Sequence, residues 1–450
     1  MRMGMQGWVD DLIERPPTFR FHGRLVGMCL LLTIADGFDL VAISFAAPAL
    51  LKEWGLTPQA LAPLFTLGLL GGLFGPPIFG FLADRVGRKP LIVGGTLFYG
   101  TCTLLSVWVG SLTELIILRF FAGFAISGVM PTIVALLSEY GGRRSRGTFT
   151  ILGYCGVTVG GLTAGIVAAR FLQPLGWEIM FWAGGLAPLV VGALAFFFLP
   201  ESLRFLARKP GRRAQLETVA AQLGAQTVPE AMQVSEERPA PTRLRDVFSD
   251  GLGPITLLLW LTTFLTIATM FLLTQWTPVL LSERGASVET ASLAAAFFQL
   301  GGLLGGLALM RPLDRFGYIV VALAYLCAIP FVAAIGISGV GPAQLMLLTA
   351  LAGFFLNGLQ FGNVAIQGQV YPTQIRSFGV GLCFMLGRLG SICGPALAGV
   401  LLAYQMSVEN IFIVAAAGPA IAFLAALPLA RLIKQRRAAN LQAEPAPTTA

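Results

Sequence analysis

The chain has 450 residues, 56% of them hydrophobic and only 12% charged, with a net charge of +8. Soluble domains carry about 25% charged residues, so a water-soluble fold is excluded. The 30 Lys and Arg residues lie between apolar stretches rather than along one face, which excludes a nucleic-acid groove.

In chain order, residues 1–24 form an N-terminal tail. Asp10, Asp11, Glu14 and the pair Pro16-Pro17 precede any apolar run, which does not fit a cleaved signal peptide, and a short amphipathic piece is expected over residues 8–13. Six apolar runs follow at 25–51, 59–83, 90–109, 112–138, 147–170 and 178–199. Each is long enough to cross about 30 Å of hydrocarbon. They make a first bundle over 25–199. A polar linker spans 200–251, expected to be helical near 212–223 and disordered across 234–242. Six further runs at 253–281, 289–310, 318–337, 342–369, 377–404 and 408–432 make a second bundle over 252–433, and 434–450 is a C-terminal tail. The fold class is therefore an all-α membrane protein with twelve transmembrane helices in two six-helix bundles.

Loop charge tests this count independently, because cytoplasmic loops collect Lys and Arg. With both termini inside, 25 of the 30 basic residues fall on the cytoplasmic side. Three, Lys52, Arg170 and Arg284, fall on the other, and Arg119 and Arg388 lie inside spans. The six cysteines, Cys29, Cys102, Cys155, Cys327, Cys383 and Cys393, sit in or beside apolar runs without metal-type spacing, so neither a metal site nor a disulfide framework follows.

The two halves repeat each other. The turn after the second span reads Gly80-Phe-Leu-Ala-Asp84-Arg85-Val-Gly87-Arg88-Lys89, and the turn after the eighth contains Asp314-Arg315-Phe-Gly317; Asp84 and Asp314 are 230 residues apart. Arg146, after Glu139-Tyr140, and Arg376, after Tyr371-Pro372, are also 230 residues apart. Internal duplication is the usual build of secondary transporters. Loop topology alone accounts for the cations of the first turn but not for the spacing of Gly80, Asp84, Arg85, Gly87, Arg88 and Lys89. A gating role is available: Asp84 can accept hydrogen bonds from a neighbouring helix N-terminus while the Arg side chains pair across the halves. Glu139, Arg146, Asp314, Arg315 and Arg376 join the same candidate cytoplasmic gate.

That spacing resembles the loop of the major facilitator superfamily, and Pro200-Glu201-Ser202 with Arg204 is similar to a segment that several of its symporter families carry. Within the superfamily the chain resembles the aromatic acid/proton symporters. The residues that carry the resemblance are Asp36-Gly37-Phe38-Asp39, Arg119 with Gly123 and Pro131, Gln275-Trp276 with Pro278, and the stretch from Tyr371 through Arg376 and Gly387-Arg388 to Gly394-Pro395. Gln275 and Ser377 depart from the pattern, where Asn and Ala are expected. The resemblance implies a functional monomer in a bacterial inner membrane, handling a small aromatic acid and protons.

Charges inside the spans need a reason, since one at mid-bilayer costs about 2.5 to 3.5 kcal/mol. Asp36 and Asp39 share a helix face near the midplane, Arg388 lies at similar depth, and Arg119 sits nearer the outer half of its span. Such a cluster can fix helix packing, or it can handle proton and substrate; buried pairs are a poor way to gain stability. The expected roles are proton coupling by Asp36, Asp39 and Arg119, and binding of the substrate carboxylate by Arg388, with Arg119 as the other candidate. Trp276 is a candidate for stacking on a substrate ring or for an interfacial anchor, beside Phe38 and Gln275. Gln299, Asn357, Asn363 and Gln367 can bond a ring hydroxyl or tie helices together. His22, the only histidine, precedes the first span and is expected in a juxtamembrane role. Most of the 54 glycines are expected to serve close helix packing.

No His pair, Gly-x-Ser-x-Gly elbow or phosphate loop points to an enzyme or a cofactor. The fifth span lacks the Gly-Pro pair of drug/proton antiporters, which favours uptake. The sequence therefore predicts proton-coupled import of a benzoate-, hydroxybenzoate- or phenylpropionate-like carboxylate by alternating access. The alternative is a symporter or exporter of another small organic anion.

Overall fold

The structure is a computed structural model that describes residues 5–14, 19–225, 227–229, 243–249, 251–337, 339–372 and 375–443. The expected disorder across 234–242 lies outside the described residues. So do the side chains of Arg146 and Asp314.

Among the described residues the secondary structure is helical. The helices are α1 (Met5–Glu14), α2 (Phe19–Trp54), α3 (Leu61–Val86), α4 (Arg88–Leu105), α5 (Leu112–Tyr140), α6 (Gly142–Leu175), α7 (Glu178–Phe198), α8 (Leu203–Ala207), α9 (Arg213–Gln222), α10 (Leu252–Glu283), α11 (Val288–Phe316), α12 (Ile319–Ile335), α13 (Pro342–Val370), α14 (Arg376–Ala403) and α15 (Val408–Ala443). Eleven are long and apolar enough to cross a membrane, and α12, with 17 residues, is the short twelfth. The helix starts are written in the sequence. Ser111 caps α5 by accepting from Glu114 N at 3.3 Å, and Ser287 caps α11 by accepting from Thr290 N at 3.1 Å.

The chain divides into two compact units, Met1–Leu56 with Pro63–Arg238, and Thr57–Ala62 with Pro239–Ala450. In the first, α1 lays Val9, Leu12 and Ile13 into the core, and Arg204 after α7 reaches Asp10 at 2.9 Å. Helix α9 is tied to α2 by Arg24 Nη2 donating to Gln222 Oε1 at 2.7 Å.

Glycine sets the helix spacing in both units, and its contacts repeat residue for residue. A Cβ on Gly71, Gly75 or Gly123 would lie about 2 Å from the carbonyl oxygen of Phe120, Phe124 or Gly68, so α3 and α5 touch backbone to backbone. In the second unit Gly301, Gly305 and Gly353 stand against Ala350, Phe354 and Phe298, every member shifted by 230. Gly160 against Ile34 and Gly390 against Phe264 repeat in the same register, so α2–α6 and α10–α14 are equivalent pairs. Small residues that let backbones approach are the chief way to pack helices where no water drives association.

Candidate functional site

Helix α2 brings Asp36 and Asp39 to one face, each only 2% exposed. Gly37 between them makes this placement: a Cβ there would come within 2.0 Å of Val157 O on α6, so α2 lies hard against that helix. The two carboxylates meet α4 and α5. Tyr99 on α4 donates its hydroxyl to Asp36 Oδ1, and Thr103, one turn on, donates to Asp39 Oδ1 at 2.5 Å. From α5, Arg119 Nη1 reaches both oxygens of Asp39, at 3.1 and 3.3 Å. Its Nη2 donates to Thr103 Oγ1 at 2.8 Å and to Ser106 Oγ at 3.3 Å, and the guanidinium lies 5.3 Å from the centre of the Phe181 ring on α7.

The cluster holds two carboxylates and one guanidinium, all buried. With both acids ionised it carries one excess negative charge, and Asp39 takes the cation. Asp36 Oδ2 and Arg119 Nε are buried polar atoms without a hydrogen-bond partner among the described residues. A proton on Asp36 would neutralise the group; in low dielectric an uncompensated charge is costly.

Of the cluster expected from sequence, Asp36, Asp39, Arg119 and Arg388, the first three are brought together in the first unit, and Arg388 lies in the second. The sequence reading missed Tyr99, Thr103, Ser106 and Phe181. A tyrosine and a threonine one turn apart in the middle of an apolar span were the available signal. The Phe38 ring packs at Gly184 of α7, where the Thr103 methyl also lies.

In the second unit the polar candidates are tied into helix contacts. Asn363 Nδ2 donates to Tyr325 Oη at 3.1 Å, Gln367 Nε2 to Thr263 Oγ1 at 3.0 Å, and Asn357 Nδ2 to Gln299 Oε1 at 3.0 Å. Of the two roles open to these amides, helix tying is the one with geometry behind it. Trp276 is fully buried, and its indole N–H donates to Pro395 O on α14 at 3.0 Å. It packs between α10 and α14 and is no interfacial anchor. Gln275 is buried and Arg388 half-buried on α14.

At the α3–α4 turn, Arg88 pairs with Asp84 at 3.1 Å and with Glu139 at 3.3 Å. The carboxylate at the N-terminus of α4 is that of Glu201, accepting from Arg88 N at 2.8 Å and Lys89 N at 3.3 Å, whereas the sequence reading offered Asp84 for such a place. Ser202 donates to Glu139, and Tyr140 Oη donates to Glu201 O at 2.5 Å. Gly87 adopts φ +114° there, and a Cβ on it would meet Glu201 Oε2 at 2.2 Å. Gly80 has open space around it. Arg85 stacks 4.0 Å from the Phe81 ring centre and Lys89 5.8 Å from that of Phe196; Arg315 lies 5.2 Å from Phe316, and Arg376 Nε donates to Tyr371 O at 3.3 Å. His22 is buried against Phe21 and Phe149.

Among the described residues, apolar helices in two duplicated units, the first with buried intramembrane charges, define a polytopic membrane protein. The family model of the Major Facilitator Superfamily matches residues 29–343 and 284–449, and the chain belongs to that superfamily. Its relatives bear out the resemblance to aromatic acid transporters. The chain is 34% identical to the 4-hydroxybenzoate transporter PcaK of Pseudomonas putida, over 90% of this chain and 91% of that one. It is 31% identical to a gallate transporter of Pseudomonas putida, over 90% and 91%. It is also 31% identical to the 3-(3-hydroxy-phenyl)propionate transporter of Escherichia coli (strain K12), over 89% and 92%. A crystal structure of a bacterial homologue of the human lysosomal transporter Spinster shares the fold, with a TM-score of 0.65 and 16% identity over 96% of this chain and 100% of that one.

Proposed function

We propose that the protein is a proton-coupled importer of a small aromatic carboxylate in the bacterial inner membrane, working as a monomer. The observation that carries this reading is the buried cluster of Asp36, Asp39 and Arg119, which holds one carboxylate more than it has cations to balance. Such a group is suited to take up and release a proton. The relatives named for 4-hydroxybenzoate, gallate and 3-(3-hydroxy-phenyl)propionate support an aromatic acid as substrate.

Arg119 spends its guanidinium on Asp39, Thr103 and Ser106 within its own unit. The substrate carboxylate is assigned to Arg388 on α14, because Gly387-Arg388 is among the residues that carry the resemblance to aromatic acid symporters and a guanidinium is the fork that carboxylates prefer. Neutralising a carboxylate in the first unit when the acid binds would couple proton to substrate. The turn built from Asp84, Arg88, Glu139 and Glu201 is assigned to gating on the cytoplasmic side.

The test is uptake of radiolabelled 4-hydroxybenzoate into liposomes holding the purified protein, with benzoate, gallate and 4-hydroxybenzamide as competitors. An inside-alkaline gradient should drive accumulation, about tenfold per pH unit for one proton per substrate. A protonophore should abolish it, and the neutral amide should compete poorly. Accumulation indifferent to the gradient would refute proton coupling, and equal competition by the amide would refute the carboxylate reading.

A further inference from the structure

The internal duplication supplies a neutral counterpart for each charge of the cluster. In the register set by the glycine contacts, Asp36 corresponds to Thr266, Asp39 to Thr269 and Arg119 to Thr349, each 230 residues on. Thr266 hydrogen-bonds Tyr325 Oη, and Tyr325 stands on α12 as Tyr99 stands on α4, one helical turn from the matching position. The bond between the first helix of a unit and a tyrosine of its third helix is thus present in both units. In one it is made by a carboxylate, in the other by a neutral hydroxyl.

The ion pair has no such counterpart. Thr349, in the place of Arg119, turns back on its own helix and donates to Leu345 O at 3.0 Å. Neutralising Asp36 would leave the first unit with the kind of bond that the second holds permanently. Neutralising Asp39 would strand a buried guanidinium whose other hydrogen bonds go to the hydroxyls of Thr103 and Ser106, at the cost that buried unpaired charges carry.

We propose, on the reading of proton coupling above, that Asp36 takes and releases the coupling proton at Oδ2, that Tyr99 positions it, and that Asp39 and Arg119 stay ionised throughout. The Asp36 carboxylate gains a proton from water to become the acid and returns it to water on the other side of the cycle. Tyr99 keeps its own proton and donates to Oδ1 in both states. The groups that face Asp36 are Tyr99 from α4 and Asp39 from its own helix; Arg119 from α5 is on Asp39, with Cys102 of α4 beside that pair. Helix α6 presents Gly156 and Gly160 to this part of α2, and α7 presents Gly184 and Phe181.

Tyr99→Phe and Tyr325→Phe each remove the tyrosine's bond to the first span of its unit, the second also the bond from Asn363 Nδ2, and neither changes the ring. Both are reconstituted in liposomes, and the pH of half-maximal gradient-driven 4-hydroxybenzoate accumulation is measured. A hydrogen bond to a charged group is worth enough to move that pH by about one to two units. Tyr99→Phe should move it upward, because the carboxylate loses a donor. Tyr325→Phe should leave it in place. Asp36→Thr, which installs the residue of the second unit, should lose gradient-driven accumulation about tenfold or more beyond its loss in counterflow of labelled against unlabelled acid. Asp39→Asn should lose both together. If the parent accumulates no acid on a proton gradient, the reading of function fails and takes this one with it. If the parent does and the two tyrosine variants share one pH midpoint, or Asp36→Thr and Asp39→Asn behave alike, this proposal alone is overturned.

Discussion

The ion pair between Arg119 and Asp39 can be tested by a double-mutant cycle. Arg119→Gln removes the bonds to both oxygens of Asp39, to Thr103 and to Ser106, and leaves two carboxylates buried with no cation beside them. Breaking a buried pair on one side costs about 3 to 5 kcal/mol. Asp39→Asn should cost less, because the cluster then holds one carboxylate and one guanidinium and carries no excess charge, although Arg119 loses its bonded acid. The double variant has neither charge. Replacing a buried pair by neutral groups is often nearly neutral, and the remaining amides and hydroxyls can bond one another, so it should lie within about 1 to 2 kcal/mol of the parent. The coupling energy is then about 3 kcal/mol or more, far above the 0.6 kcal/mol or so typical of a neutral interhelical hydrogen bond in a membrane protein. Unfolding of the purified protein in mixed micelles, titrated with a denaturing detergent, measures all four corners. Additive single effects would refute the pairing, and Asp39→Asn costing more than Arg119→Gln would refute the charge balance.

Three further outcomes are expected. In a cysteine-free background, single cysteines at Lys52 and Arg284 should react with an impermeant thiol reagent from outside and one at Arg212 should not; outside labelling at Arg212 would invert the topology. Arg388→Gln should cost about ten- to a hundredfold in affinity for the acid and leave amide binding little changed, with Arg388→Lys a partial rescue. If Arg119→Gln loses the preference for acid over amide while Arg388→Gln keeps it, the two assignments are exchanged. At the α3–α4 turn, Gly87→Ala should destabilise by about 1 to 3 kcal/mol, because φ is +114° and the new Cβ meets Glu201. Gly80→Ala, in open space, should be silent in the same unfolding assay.

Much of this molecule is legible in its sequence, and the reason is physical. Transfer of a side chain into hydrocarbon has a large free energy that depends mainly on that side chain, so spans can be read locally and twelve were placed. The same energy makes Asp36, Asp39, Arg119 and Arg388 conspicuous, because each needs compensation wherever it sits. The duplication was legible at the two polar turns, and the glycine contacts of the structure extend it into the spans.

Partnership was not legible. Whether Arg119 faces Asp36 or Asp39 depends on how α2 and α5 are rotated about their axes, and no local property of either segment records that rotation. The same holds for Tyr99 on Asp36, for Glu201 at the start of α4, and for the amides of Asn363 and Gln367, which polarity alone left open between ligand and helix contact. Trp276 shows the limit most simply: its neighbours in sequence allowed a ring stacked on substrate or an interfacial anchor, and only the packing of α10 on α14 shows it buried with its N–H on Pro395. The sequence by itself determined how many times the chain crosses the membrane, that it does so twice over in one pattern, and which residues bear charge inside. The tertiary structure alone decided which charge meets which, because a hydrogen bond requires two groups from distant segments to meet within a few tenths of an ångström.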